Sequence, residues 1–594
     1  MAEHRRSSEP ATIDELKSCH LFADLDDQTL RYTAERMRRI FVPAEELVIT
    51  AGATGDALFV VVRGRLQVFT SAPDGVEVPL NEAGPGDVVG ELALLSHRPR
   101  LASVRTTRDS ELLRLSADDF DALVDQAPAA VLHIARTVVD HLDGSEVAHE
   151  PPVRTIALLP AGGTDPRVVA AVAMDLASAL GPKTVVLDAA RIDQLLGPRP
   201  ATAALLTLLD RCEREGPHVI YVGNGRRSWV KQCTRQADRI VLVADATARP
   251  EPNRREVAAG QTRRELLLVH PADCQRPEGT IRWLEVRNLA AHHHVRRGDR
   301  GDMERVARLV TGNAVGLVLG GGGPRGFAHM GVIRALEDAG VPIDMIGGTS
   351  IGALMAAGKA VGWDHSTRME NVVRAFAGKG LFRPTLPLVS LTSGKKVTKL
   401  LRDPNYLGET AMEDFWIRWF CVSTNLTRSR PEIHERGPAW LCIRSSIALP
   451  GILPPVFSDG DLLVDGGVLN NVPVDAMRER LDGRIIAVDL EPDVDLRPRQ
   501  PFPPSLSGWR MLADRLLRNG SAPEVPNAVQ ILMRAKQVGG EYAQRAVLES
   551  TPVDLYLRPP MDNFGALNFG VGPQLVESAY RYTLDQLEQS SFAD

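Results

Sequence analysis

Residues 315–352 read VGLVLGGGGPRGFAHMGVIRALEDAGVPIDMIGGTSIG, and this stretch decides how the second half of the chain folds. The β-branched, apolar run Val315 to Leu319 has the composition of a buried strand. Glycines occupy 320–323, and a helical pattern follows from Gly326 to Ala339. A strand that empties into a glycine turn at a helix N-terminus exposes backbone N–H groups beside the positive end of a helix dipole, an arrangement that suits an anionic group. Arg325 adds a fixed positive charge. The segment Gly321-Gly322-Gly323-Pro324-Arg325-Gly326 also fits the loose dinucleotide pattern GxGxxG, a weak signal when it stands alone.

The next strand, Asp344 to Gly348, ends in Gly348-Thr349-Ser350-Ile351-Gly352 and leads into a helix of small residues, Ala353 to Ala360. A serine on so sharp a strand-to-helix turn needs neighbours without bulk. Gly348 and Gly352 leave its Oγ clear at the helix N-terminus, the form of a nucleophile elbow. Ser350 as a plain helix N-cap is the competing reading; two adjacent strands that each end in a glycine turn weigh against it. After Ser350 only His365 and His434 remain, and no histidine follows the acidic candidate in Leu463-Val464-Asp465-Gly466-Gly467. The order serine, acid, histidine is therefore unavailable with this aspartate. A Ser350–Asp465 dyad is the economical alternative, with Gly466-Gly467 leaving room for the carboxylate to reach a neighbouring strand end.

The glycine loop with Arg325, the Gly-Thr-Ser-Ile-Gly elbow and Asp-Gly-Gly, in this order, resemble the patatin-like phospholipases. The resemblance implies Ser350 as nucleophile, Asp465 as general base, and Gly321, Gly322 and Gly323 with Arg325 as the oxyanion hole. It also implies a phospholipid or lysophospholipid as substrate, with no cofactor or metal required.

Composition bounds the rest. At 594 residues the chain has material for three or four domains. Lys+Arg 69 against Asp+Glu 75 gives a formal charge of -6, so there is no global basic field for nucleic acid and none is expected as a partner. The six cysteines are scattered with no CxxC, which favours reduced thiols and a cytoplasmic protein. No apolar run of transmembrane length appears, so membrane contact is expected to be peripheral.

In the first part of the chain, residues 1–19 read as a tail and 20–145 as short strands between glycine turns, an antiparallel β-roll. Leu58 to Val62 and Leu66 to Phe69 look like two strands joined by a tight turn at Arg63-Gly64-Arg65. Within the roll, Gly90-Glu91-Leu92-Ala93-Leu94-Leu95 and Arg98-Pro99-Arg100-Leu101-Ala102-Ser103-Val104 combine a short helix, a carboxylate and an arginine, which together can hold a phosphate and a ribose. This segment resembles the cyclic-nucleotide-binding domain. On that resemblance Gly90, Glu91, Arg100 and Ser103 form the nucleotide site, Glu91 meets the ribose 2′-OH, Arg100 meets the cyclic phosphate, and a cyclic nucleotide is the regulatory ligand. Leu101 stands where that family usually has a small residue and is expected to crowd the pocket.

Gly144 to Pro152 reads as a linker. Over 151–300, Thr155 to Leu159, Thr184 to Leu187, His218 to Val222, Arg239 to Val243 and Leu266 to Val269 alternate with helical segments, giving a βαβ domain with a parallel sheet. Its first turn, Pro160 to Asp165, stands where a phosphate-binding loop would be but lacks Gly-Lys-Ser/Thr, so the domain is P-loop-like without the Walker lysine. His292-His293-His294 reads as a surface or interdomain segment, since consecutive residues do not converge on one ion.

Trp283-Leu284-Glu285-Val286-Arg287, the three histidines and Leu309 to Ala314 resemble the stretch before the catalytic domain in proteins of the neuropathy target esterase type, as does the domain order. The resemblance runs from about residue 20 to 490 and stops short of the membrane anchor and extra nucleotide domains of the animal proteins. The fold class expected is multidomain: an N-terminal β-roll of the cyclic-nucleotide-binding type, a middle α/β domain and a C-terminal patatin-like α/β domain over 311–500. Residues 501–594 extend the catalytic domain. Leu381 to Arg402, with Gly394-Lys395-Lys396, reads as a mouth or cap. Leu506 to Leu517 reads as an amphipathic helix packed on its own domain or resting on a bilayer. Two other functions fit parts of the pattern: a catalytically inactive nucleotide-sensing adaptor, and an oxidoreductase using the glycine loop for NAD(P).

Overall fold

The computed structural model describes the chain except residues 1–4, 18, 20, 23–24, 72–76, 97, 127–152, 253–262, 378–382, 492–504, 506, 508–527, 562–571, 591 and 593–594. The linker read at 144–152 and most of the amphipathic helix read at 506–517 lie outside the described residues. Two compact units result: Met1–Ala272 with Arg282–Thr311, and Asp273–Ile281 with Gly312–Asp594.

The first unit opens with a β-roll of two antiparallel sheets. One runs in the order Arg5–Pro10, Arg38–Val42, Ser110–Ser116, Ala57–Arg63, Val88–Val89, and the other Leu47–Ile49, Ser103–Thr106, Leu66–Ser71, Glu77–Ala83. Residues 5–17, read from sequence within a tail, supply the edge strand Arg5–Pro10 and the helix Ile13–Lys17. Ala57–Arg63 and Leu66–Ser71 belong to different sheets rather than to one hairpin: Phe59 pairs with Arg114, and Leu66 with Thr106 and Ala83. The chain changes sheet at Gly64, φ 105°, where a side chain would collide with Ser110.

A six-stranded, all-parallel sheet follows, ordered Val185–Leu187, Val219–Val222, Thr155–Pro160, Arg239–Asp245, Arg264–His270, Ala291–Arg296. Its apolar runs are buried on both faces, as a doubly covered parallel sheet requires. The sixth strand corrects the reading of the histidine triplet as surface. His293 and His294 are buried; His293 Nε2 lies 2.8 Å from Glu265 Oε2, and His294 Nδ1 lies 2.9 Å from His270 Nε2. Arg239 completes the charge balance at Glu265, donating at 2.7 Å. Burial opposes ionisation of Glu265, but His293 and the arginines outweigh it and hold the carboxyl far below its ordinary range. In the first turn a side chain at Gly162 would meet the Arg249 carbonyl and the Trp283 ring, while one at Gly163 would meet nothing within 4 Å.

The second unit is an eight-stranded mixed sheet flanked by helices. Its elements are β1 (Ala314–Leu319), α1 (Phe327–Asp338), β2 (Met345–Thr349), α2 (Ile351–Ala360), β3 (Arg418–Asn425), β4 (Arg430–His434), α3 (Ala439–Ser446), β5 (Val456–Ser458), β6 (Asp461–Asp465), β7 (Gly483–Val488), β8 (Leu555–Leu557) and α4 (Gly572–Gln589). Their order is β5-β6-β3-β2-β1-β7-β8, with β4 also on β3. The five strands from β3 to β8 in this order are parallel, and the hairpin β5–β6 joins β3 antiparallel. Since β1 and β2 are neighbours running the same way, the glycine turn and the serine elbow emerge side by side at one end of the sheet. The antiparallel β6 brings Asp465 to that same end.

Candidate active site

Three strands set the positions of the reacting groups. Thr349 pairs with Val422 and Asp465 pairs with Ser423, so the carboxylate stands across β3 from the elbow and one residue along. Ser350 Oγ donates a 2.6 Å hydrogen bond to Asp465 Oδ2, and Asp465 Oδ1 accepts the Gly467 amide at 2.9 Å. Asp465 is buried, so the short bond forms away from bulk water.

Ser350 has φ 56° and ψ -123°, a conformation that a residue with a Cβ adopts only under constraint. The constraint comes from both sides. A Cβ at Gly352 would stand 2.1 Å from the Leu319 carbonyl, and one at Gly348 2.6 Å from the same oxygen. These two glycines let β1 and α2 approach closely enough to force the turn. Two further bonds hold it: Ser350 N–H donates to Ser446 Oγ at 2.9 Å, and Thr349 Oγ1 to the Asn470 carbonyl at 2.9 Å. Ser446 in turn donates to the Val422 carbonyl at 2.7 Å.

The glycine loop lies against this elbow; a Cβ at Gly321 would be 3.4 Å from the Ser350 Cβ. The Gly321 amide already donates to the Asn471 carbonyl at 3.3 Å. Among the described residues the Gly322 and Gly323 amides have no acceptor, which leaves them as the loop's available donors. Arg325 is half-buried, its Nε without a partner. Burial lowers its pKa while the Glu491 carboxylate opposes that shift.

His329 is a supporting residue that sequence reasoning missed. It is fully buried in α1 and its Nε2 donates to the Gly320 carbonyl at 2.8 Å, pinning the start of the loop. Its Nδ1 has no partner, and burial pushes the imidazole down to about 4, so it is neutral. Ser446 and Asn471 were likewise not singled out. The only local signal was a lone histidine in an apolar helix and an Asn-Asn pair just past Asp-Gly-Gly. Of the two histidines after Ser350, His434 Nε2 is 2.7 Å from Oγ of Ser423, the residue that pairs with Asp465, and His365 begins a separate helix.

In the β-roll, Arg100 is buried and turned inward. Its guanidinium donates to the carbonyls of Gly90 at 2.8 Å and Ala57 at 2.5 Å and to Asp56 Oδ1 at 3.1 Å. Gly90 is indispensable to that packing, since a Cβ there would strike Arg100 Nη1. Ser103 Oγ accepts the Ala51 amide at 3.0 Å, and Glu91 opens the short helix Glu91–Ser96. Leu101, expected to crowd the pocket, is 74% exposed.

Comparison with known proteins finds three domains in the chain. Residues 317–478 match the patatin-like phospholipase family, 39–127 the cyclic nucleotide-binding domain and 152–313 the neuropathy target esterase family P-loop like domain. Residues 317–478 are a patatin-like phospholipase domain. The chain is 31% identical to the lysophospholipase NTE1 of Mycosarcoma maydis over 643 residues, spanning 92% of this chain and 34% of that protein. It is 31% identical to lysophospholipase nte1 of Aspergillus terreus over 640 residues, 92% of this chain and 41% of that one. A patatin-like phospholipase domain-containing protein of Caenorhabditis elegans is 30% identical over 91% of this chain and 46% of its own length. The chain thus spans less than half the length of these relatives. Among the described residues no helix is long and apolar enough to cross a membrane.

The neutral state of His329 has a consequence for acid stability. Its folded pKa of about 4 lies below the ordinary value of 6.5. Between these values the unfolded chain binds a proton that the folded chain does not, so stability falls as pH drops through this window and is full above it. Urea unfolding of the catalytic unit at pH 7 and pH 4.5 is expected to show an acid loss about 2–3 kcal/mol smaller in His329→Gln than in the wild type. Equal acid losses would mean the imidazole is not held neutral.

Proposed function

We propose that this chain is a serine esterase that hydrolyses the acyl ester of a lysophospholipid or phospholipid through a Ser350–Asp465 dyad. The observation that carries this reading is the 2.6 Å hydrogen bond from the strained Ser350 to a buried carboxylate, while His329 and His434 are bonded elsewhere. Ser350 Oγ attacks the ester carbonyl carbon while its proton passes to Asp465 Oδ2. The Gly322 and Gly323 amides receive the oxyanion, with Arg325 adding positive potential. Collapse of the tetrahedral species returns the proton to the departing glycerol oxygen and leaves the acyl group on Ser350. Water, deprotonated by Asp465, then releases the fatty acid and restores the serine. Because a carboxylate is a weak base near neutral pH, the loop amides must supply much of the barrier reduction.

The curated relatives carry the name lysophospholipase, which supports this substrate class. Residues that act as one unit lose activity non-additively, so Ser350→Ala and Asp465→Asn should each lower kcat for a p-nitrophenyl ester and for lysophosphatidylcholine by at least ~10³-fold. The double variant should be scarcely worse. More than about a tenth of wild-type rate in either variant would refute the dyad.

The same reading gives the β-roll a regulatory role with a cyclic nucleotide as ligand, received by Arg100, Glu91, Gly90 and Ser103. The three internal acceptors on Arg100 oppose it, since a cyclic phosphate must take over donors that already serve Gly90, Ala57 and Asp56. Binding is accordingly weak. A ligand at 100 times its Kd would add about 2.7 kcal/mol of stability, so millimolar cAMP or cGMP should move the melting midpoint by less than about 1 °C. A shift of several degrees that disappears in Arg100→Ala would show that the phosphate displaces these acceptors readily.

A further inference from the structure

The second unit presents an apolar turn, and nothing in the proposed chemistry uses it. Within Thr385 to Leu391, Leu386 is 73%, Leu388 83% and Val389 65% exposed. Leu391 adds a fourth exposed aliphatic side chain. So many large aliphatic groups in so short a span exceed the scattered exposure usual on a soluble surface. The turn is also held in place. Thr385 N–H donates to the Leu391 carbonyl at 3.0 Å, Ser393 N–H to the Arg383 carbonyl at 3.0 Å, and the buried Ser390 Oγ to the Thr392 carbonyl at 2.7 Å. The Leu391 and Thr392 amides donate to the Gly451 and Ile452 carbonyls at 2.8 and 3.1 Å. The leucines are therefore displayed on a fixed frame, and burying them against another surface costs little ordering of the backbone.

The frame leads straight to the reacting groups. Shortly before Ile452 in the chain is Ser446, whose Oγ accepts the Ser350 amide; the Ala448 carbonyl accepts the Asp465 amide at 3.0 Å. Arg444, on the same helix α3, is buried and donates to the Pro454 carbonyl at 2.8 Å, tying that helix to the segment under the turn. A few residues on, Phe457 is 77% exposed on the hairpin β5–β6 that ends at Asp465.

Charge selects the occupant. From Arg383 to Arg402 the sequence carries Arg383, Lys395, Lys396, Lys399 and Arg402 and no acidic residue. Arg383, Lys395 and Lys399 are exposed. Arg402 is paired with Glu409, so the basic rim comes from the exposed Arg383, Lys395 and Lys399 that flank the turn in sequence. Such a rim is repelled by a second copy of itself and attracted by an anionic lipid surface. We infer that the turn Thr385–Leu391 inserts into the headgroup region of an anionic lipid surface, with the basic rim on the headgroups, and so brings the entrance of the site to its lipid substrate. This rests on the proposed function for its purpose, while the docking itself is measurable without turnover.

The test uses the full chain and sedimentation with vesicles of phosphatidylglycerol and phosphatidylcholine. Leu386→Ser/Leu388→Ser/Val389→Ser should lower the vesicle partition coefficient at least about tenfold, with turnover of a soluble short-chain p-nitrophenyl ester unchanged. Lys395→Glu/Lys399→Glu should weaken binding to these vesicles roughly tenfold and leave pure phosphatidylcholine binding unaltered. Ser350→Ala should bind as the wild type; if it does while no variant or wild type hydrolyses any ester, docking stands and the proposed function falls. Independently of folding losses, Leu388→Trp should show blue-shifted emission on vesicles and quenching by brominated lipid. Wild-type partition in the triple serine variant, or emission from the Leu388→Trp variant that does not move on vesicles, overturns the inference. So does a triple variant that loses self-association instead of vesicle binding, which would assign the turn to a second copy of the chain.

Discussion

A serine held at φ 56° is the constraint on which the second unit turns. A backbone in that region costs about 1–3 kcal/mol, and the surrounding structure has to supply it continuously. Here the supply is the sheet itself: β2 is locked between β1 and β3 along its length, and Gly348 and Gly352 allow the Leu319 carbonyl to sit where any side chain would collide. Relaxing the turn would break that packing. The strain also aims Ser350 Oγ across β3 at Asp465, so one local distortion produces the 2.6 Å contact.

Around that contact the protein uses neutral or internally paired groups. His329 is neutral because it is buried, and it serves a carbonyl of the glycine loop rather than a proton transfer. Asn471 takes up the Gly321 amide through its carbonyl, which narrows the loop's spare donors to Gly322 and Gly323. Under the proposed mechanism this division matters, because a dyad without an imidazole depends heavily on fixed dipoles where charge develops. The β-roll shows the opposite economy. Its arginine donates to two carbonyls of its own module and to Asp56, so the group best suited to an anion is already in use.

Much of this is legible in the sequence. Strands rich in valine, isoleucine and leucine, each ending in glycine, carry a strong local signal, and Ser350, Asp465 and the glycine loop are read from it. The failures have physical causes. The sixth strand of the middle sheet escapes a reading by periodicity because three consecutive histidines carry no apolar run; their burial depends on Glu265 and His270, distant in sequence. Gly64 reads as a hairpin turn, but a sheet change and a hairpin use the same residues. The Ser350–Ser446 and Thr349–Asn470 bonds span 96 and 121 residues, and no local pattern announces them.

The central claim is that Ser350 is a nucleophile activated by Asp465, and covalent labelling of the whole protein with a fluorophosphonate tests it most directly. Peptide mapping by mass spectrometry should place a single adduct on Ser350, formed far more slowly in Asp465→Asn and absent in Ser350→Ala. An adduct on another residue, or labelling of Asp465→Asn at the wild-type rate, would contradict the account.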